Sequence, residues 1–330
     1  MSTSLRVLVI AGGLTHERDV SVRSGRRVAN VLQHLGHVVR VSDLDSGLLP
    51  LVEEFGPDVI WPLVHGSVGE DGSLQALLES LGVPFVGSNS VQAMLASNKP
   101  TAKGLVAAAG FATPGWVSLP QSLFRQLGAS EVLEVLEHDM EFPVVVKPTD
   151  GGSALGISRA EDSEDLRSAM VDAFAYGERV MIEQYVEGHD IAVSVVDLED
   201  GPVALPPVEI VTDDGHYNYD ARYTTDTTQY FVPARLEADL VGAVSAAAVD
   251  VHRVLGLRHL SRIDFIVRGS TIWFIDANVA PGMTDTSLFP QAAEADGSFA
   301  DVCARLVAYA ASCAGSVPVD DEGGSAVPLD

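Results

Sequence analysis

A chain of 330 residues, 47% apolar and 20% charged, has material for two or three lobes of about 100–150 residues each and is too apolar to be mainly disordered. A formal charge of −26 with no basic stripe to offset it excludes nucleic acid and anionic membranes as partners, and most of that charge reads as solubility. Two cysteines, Cys303 and Cys313, in a late Ala-rich helical stretch make no disulfide framework, and the apolar runs are too broken for a membrane span, so the expected location is the cytoplasm.

Residues 5–11 read as a buried strand closed by Gly12-Gly13, too short to serve as a secretion signal. A helix is predicted from Val20 to Leu35 with its stop at Gly36, then strands at 37–43 and 58–64, the second ending at His65-Gly66. A helix at 73–81 leads to a short strand, Val83 to Val86. This β-α-β alternation predicts a parallel sheet covered by helices. A second lobe starts near Ser88, with a helix at 98–109, a strand from Phe142 to Lys147, a glycine-rich turn, a helix at 162–176 and a strand at 179–185. The third is strand-rich, at 189–197, 203–210, 261–268 and 271–277, with a long helix at 236–255. Residues 315–330 are acidic, rich in Gly, Pro and Ser, and read as a loose tail.

Four segments carry chemistry. Ser261 to Val267 and Ile272 to Asn278 form a predicted hairpin around Gly269-Ser270. If Asp264 faces Asp276, period-2 alternation puts Arg262, Asp264, Asp276 and Asn278 on one face. Two carboxylates and an amide oxygen suit magnesium, and Arg262 can steady charge on a phosphoryl or acyl oxygen. A solvated sheet face would show the same pattern. The second segment is an apolar strand ending at Lys147, followed by Thr149-Asp150-Gly151-Gly152-Ser153-Ala154-Leu155-Gly156. Glycines let backbone N–H groups approach phosphate, although a plain turn reads alike, and the order of Lys and Gly is not the Walker order. The third, Met181 to Asp190, ends a strand in acidic residues at a lobe boundary, fit for an adenine hinge or an exposed linker. The fourth, His216 to Tyr223, packs three tyrosines and Arg222 into a polar loop that suits either a lid or ordinary surface. Only Lys99, Lys103 and Lys147 are lysines among 20 basic residues. Against such a preference for arginine, a lysine marks a place that wants a compact ammonium, as phosphate does. For Lys103 chance is a fair competitor to that reading.

Together the segments resemble the D-alanine–D-alanine ligase family of the ATP-grasp superfamily, from about residue 5 to 310. Gly12-Gly13 with His16 to Ser21 resembles the family's first signature, and Val64-His65-Gly66 with Gly69 to Gly72 its second. Arg262-Ile263-Asp264 and Asn278 with Pro281-Gly282-Met283-Thr284 resemble the C-terminal signature. The resemblance implies an α/β (α+β) three-lobed ATP-grasp fold. Its parts would be a Rossmann-like parallel-sheet domain over residues 1–88, a central lobe over 89–184, a metal-bearing lobe over 185–314 and the tail 315–330. It implies that Lys99 and Lys147 contact ATP phosphates, and that Glu183, Val186 and Asp190 line the adenosine. Asp264, Asp276 and Asn278 would hold two magnesium ions, with manganese an alternative. Glu17, Ser153 and Tyr223 would close a lid and orient the first substrate's amine, with His65 near that substrate. Arg262 and the Gly282 N–H would stabilise the oxyanion, Ser287 would meet the second substrate's carboxylate, and Arg222 would stand near the transferred phosphoryl group. The implied reaction joins two D-alanines through an acyl phosphate for peptidoglycan, and a homodimer is implied. Several positions depart from the family pattern: Asp276 replaces a longer Glu, Val279 a Thr, Ala154 a Ser, and Asn218 an Asp. The alternatives are a related ligase that joins other amino acids and a paralogue that binds nucleotide without turnover.

Overall fold

The computed structural model describes residues 4–151, 154–212 and 228–313. The predicted tyrosine-rich loop, Ser153 and the acidic tail lie outside the described residues.

Three sheets organise the chain. The first is parallel, in the order β2-β1-β3, from β1 (Arg6–Ile10), β2 (Val38–Ser42) and β3 (Val59–Pro62). Val7 to Ile10 are wholly buried, as the centre of a parallel sheet covered on both faces requires. The helix Arg18–His34 covers one face through Val28, Ala29 and Leu32, and Gly36 ends it with a φ of 90° that a side chain would resist. The segment 83–86 differs from its predicted strand. It adds a single bridge, Ile60 to Phe85, because Pro84 has no N–H and can only accept from Ile60.

The second sheet is antiparallel, in the order β4-β7-β5-β6, from β4 (Trp116–Pro120), β5 (Val144–Pro148), β6 (Ser158–Ala160) and β7 (Arg179–Gln184). It has its own core, in which Val144, Val146, Val180 and Ile182 meet Leu166, Met170 and Ala173 of the helix Ser163–Phe174. Asp162 caps that helix by accepting from the N–H groups of Glu164 and Asp165.

The third sheet runs β11-β10-β8-β12-β13, with β9 on the side of β8. Its strands are β8 (His189–Leu198), β9 (Gly201–Ala204), β10 (Val208–Thr212), β11 (Thr228–Phe231), β12 (Leu260–Arg268) and β13 (Thr271–Asn278). The predicted strand at 203–210 is therefore two strands. Pro206-Pro207 interrupts the ladder, since neither residue offers an N–H. The helix Ala238–Val254 packs Val244, Ala248 and Val251 against Ile263, Phe265 and Phe274.

The chain end returns to its beginning. The helices Leu288–Asp296 and Phe299–Ser312 put Phe289, Phe299 and Leu306 into one core with Val7, Trp61 and Val196. Each such large side chain, fully buried, contributes roughly 1.5–3 kcal/mol. A polar joint reinforces the contact. His259, at a φ of 64°, accepts the Gly87 N–H at Nδ1 over 3.0 Å, and Arg258 Nε donates to Gly87 O at 2.7 Å. Burial, with the nearby Arg258 charge, pushes the His259 imidazole down to about 3, so it stays neutral. Cys303 is a free, buried thiol.

Candidate active site

Two cavities meet between the sheets. The larger, about 840 Å³, lies between the second and third sheets and is lined from both, by Lys147 and Glu183 on one side and Asp264, Ile275 and Asp276 on the other. Val186 and Asp190 border it where β7 passes into β8. The smaller, about 310 Å³, is lined by Glu17, Gly66, Ser67 and the turn around Gly151 and Ala154. Lys99 and Ile157 line both.

The hairpin has the register that alternation predicts. Asp264 pairs with Asp276 and Arg262 with Asn278. Arg262 forks onto Asp264 at 2.7 and 2.9 Å, and Asn278 Nδ2 reaches the same carboxylate at 3.1 Å. A bulge follows, because Phe265 pairs with Phe274 and leaves Ile275 over. It breaks the alternation and brings Ile275 and Asp276 to the same cavity. The Asp276 carboxylate is met by the Lys99 ammonium at 2.6 Å, from the first residue of the helix Lys99–Ala108. Burial pushes this carboxyl up, and the charges of Lys99 and Lys147 outweigh it, leaving it below the usual range.

Among the described residues no group of three or more His, Cys, Asp or Glu side chains gathers for a metal. Two facing carboxylates and one amide are too few to complete an octahedral shell. They fit a hard cation that arrives with phosphate oxygens and water. The ammonium on Asp276 stands where positive charge belongs.

Glu183 is buried between two lysines. Lys147 Nζ hydrogen-bonds to Oε1, and Lys103 Nζ lies 2.9 Å from Oε2. Burial pushes the carboxyl up, while the charges of Lys147 and Lys103 together prevail and hold it below its ordinary value. Lys103 is fully enclosed and also donates to Phe274 O at 3.2 Å. Its place in the core explains a lysine that the sequence left to chance.

The first sheet supplies the other wall. Glu17 is the residue before the helix Arg18–His34, buried at the mouth of the smaller cavity. Gly66 must be glycine here, since a Cβ would stand 2.7 Å from a Glu17 oxygen and φ is 87°. His65 is buried one layer behind that wall, near Glu70 at 3.7 Å. Gly282 and Ser287 lie together, a Cβ on Gly282 falling 2.8 Å from Ser287 Oγ, and Thr284 N donates to that same oxygen at 3.0 Å. Ser24 links the two groups. Its hydroxyl contacts both His65 and the Met283 N–H. Sequence reasoning missed Ser24, although serines at 21 and 24 on an otherwise apolar helix face are a usable signal. Ser153, Arg222 and Tyr223 lie outside the described residues.

The sequence profile described as "D-ala D-ala ligase C-terminus" matches residues 105–308, and "D-ala D-ala ligase N-terminus" matches 50–88. The D-alanine–D-alanine ligase of Desulforudis audaxviator is 36% identical over 307 residues, 92% of this chain and 98% of that protein. The crystal structure of D-alanine–D-alanine ligase from Bacillus anthracis superposes with a TM-score of 0.79 at 29% identity, covering 93% of this chain and 97% of that one. The same enzyme complexed with ATP superposes at 0.76 and 28% identity, over 94% and 97% of the two chains. Two cavities joined at a lysine, one of them held between two antiparallel sheets, thus occur in a chain that belongs to the D-alanine–D-alanine ligase family, with its ATP-grasp fold.

Proposed function

We propose that the chain joins two D-alanines at the cost of ATP, forming D-alanyl-D-alanine for peptidoglycan synthesis. The observation that carries this reading is the meeting of the two cavities at Lys99. A carboxylate held beside Glu17 is there within reach of a nucleotide phosphate held between the sheets. Each step is then mostly positioning and electrostatics.

In the first step a carboxylate oxygen of one D-alanine attacks the γ-phosphorus of ATP. The bond to the β-phosphate oxygen breaks, and ADP and an acyl phosphate result. In the second step the free amine of the other D-alanine attacks the acyl carbon. Phosphate leaves with the electron pair of the acyl–oxygen bond, and the amine gives up a proton. Magnesium, when bound at Asp264, Asp276 and Asn278, would offset charge on the phosphoryl oxygens.

The chain's own groups do the rest. Lys99 and Lys147 face the nucleotide phosphates, and Val186 and Asp190 border the adenosine, with Glu183 behind them as the anchor of Lys147. By the family pattern Glu17, Ser153 and Tyr223 would orient the first amine, and Arg222 would offset charge on the transferred phosphoryl group. Arg262 and the Gly282 N–H oppose charge on the acyl oxygen, and Ser287 meets the second carboxylate. We place the lobe boundaries at 88, 184 and 314, the working form as a homodimer, and the enzyme in the cytoplasm. Among the described residues no helix is long and apolar enough to cross a membrane.

The test is phosphate release with ATP, magnesium and D-alanine, with the product separated by chromatography. D-alanine-dependent release with D-alanyl-D-alanine supports the reading. Release only with another amino acid, or nucleotide binding without release, refutes it.

A further inference from the structure

Ser24 is fully enclosed on the buried face of the helix Arg18–His34. Its oxygen lies 3.0 Å from the Met283 backbone nitrogen and 3.2 Å from Nε2 of His65. A backbone N–H can only donate, so the serine oxygen accepts from Met283. The hydroxyl then has one proton to place, and among the described residues His65 Nε2 is the remaining partner. If Nε2 also carried a proton, Ser24 would accept twice and its own proton would be buried without an acceptor. That arrangement forfeits a hydrogen bond the site can otherwise make. Nε2 is therefore the acceptor.

The other side of the ring agrees independently. Nδ1 faces Oε1 of Glu70 at 3.7 Å. A proton on Nδ1 points at the carboxylate, whereas a lone pair there would oppose it.

We propose that Ser24 is a positioning residue whose single hydroxyl fixes His65 as the neutral Nδ1–H tautomer and holds the Gly282–Met283 peptide in place. One atom would then set both the histidine behind the first substrate's wall and the amide loop that meets the acyl oxygen. His65 is left with no free lone pair. It orients as a hydrogen-bond donor and does not serve as the base in either step. The catalytic consequence rests on the proposed function, which seats the first substrate against the wall that His65 backs. The tautomer is read on substrate-free protein, so the failure of one is distinguishable from the failure of the other.

The test uses the full chain with nitrogen-15 in its imidazoles and two-bond proton–nitrogen spectra near neutral pH. The His65 signals are assigned by their loss in His65→Gln. The expected spectrum has a protonated Nδ1 and a bare Nε2. Glu70→Ala should keep that pattern, because Ser24 sets it. Ser24→Ala should lower kcat about tenfold or more. In the double variant Ser24→Ala/Glu70→Ala, protonated Nε2 should appear. A protonated Nε2 in the unaltered protein overturns the assignment. A tautomer that changes in Glu70→Ala alone shows that Ser24 does not fix it. An unchanged kcat in Ser24→Ala overturns the positioning role.

Discussion

Glu183→Gln removes the one negative charge between two buried ammonium groups. Glu183 is 4% exposed, Lys103 lies 2.9 Å from one carboxylate oxygen, and Lys147 bonds the other. Taking away one partner of a buried ion pair costs about 3–5 kcal/mol, because the ammonium groups left behind lose the carboxylate that offsets their burial. At ~2.1 cal/mol/K of unfolding entropy per residue, a structured body of about 300 residues has roughly 0.6 kcal/mol/K. The cost therefore corresponds to a drop of about 5–8 °C in melting temperature. Differential scanning fluorimetry at pH 7.5 reads it. The sign with pH is fixed by the shift. A carboxyl held below its ordinary value gives stability that is full above about pH 4.5 and is lost as pH falls through the folded value, so the gap to Glu183→Gln closes in acid. The decisive comparison is with Lys103→Met in the same chain. Removing the surplus ammonium should make Glu183→Gln/Lys103→Met more stable than Glu183→Gln alone. A double variant that melts lower than Glu183→Gln, or a Glu183→Gln variant that melts like the unaltered protein, would refute the shared-counterion account.

Other predictions follow from the same geometry. Asp276→Asn should lower turnover by about a hundredfold or more and raise the magnesium needed for half-maximal rate, with an unchanged circular dichroism spectrum; near-normal turnover would remove Asp276 from the metal role. Lys147→Arg keeps the charge but cannot place a compact ammonium against both Glu183 and a phosphate, so the KM for ATP should rise roughly tenfold, measured by initial rates. His259 holds an imidazole at about 3 against an ordinary 6.5, so it contributes stability that is full above pH 6.5 and is lost at up to about 1.4 kcal/mol per unit as pH falls through that window. His259→Asn, a residue that tolerates the positive φ, should flatten that acid limb in urea titrations at pH 7.5, 6 and 5.

The chemistry of the site was more legible in sequence than its geometry. Alternation in 261–267 and 272–278 fixes which face Arg262, Asp264, Asp276 and Asn278 share, because a one-residue slip would bury all four on the wrong side. The bulge at Ile275 was not legible, since it is an extra residue in a ladder and not a residue type. Pro206-Pro207 announces the break between β9 and β10 to a reader who counts N–H donors, and Pro84 does the same for the lone bridge at Phe85. The enclosed position of Lys103 depends on two strands distant in sequence, β7 and β13, which bring Glu183 and Phe274 to its ammonium. No local pattern encodes that. Ser24 is intermediate, for its polar side chain on an apolar stripe marks a buried hydrogen bond without naming the partners. The return of the last two helices onto β1 and β3 is likewise a property of the whole chain.

The central claim is that two D-alanines and one ATP meet across Lys99. The most direct measurement counts products in one reaction containing ATP, magnesium and D-alanine. The account predicts one phosphate and one ADP released for each D-alanyl-D-alanine formed, with release dependent on D-alanine. Phosphate release without the dipeptide, or the dipeptide's absence when another amino acid supports full turnover, would contradict it.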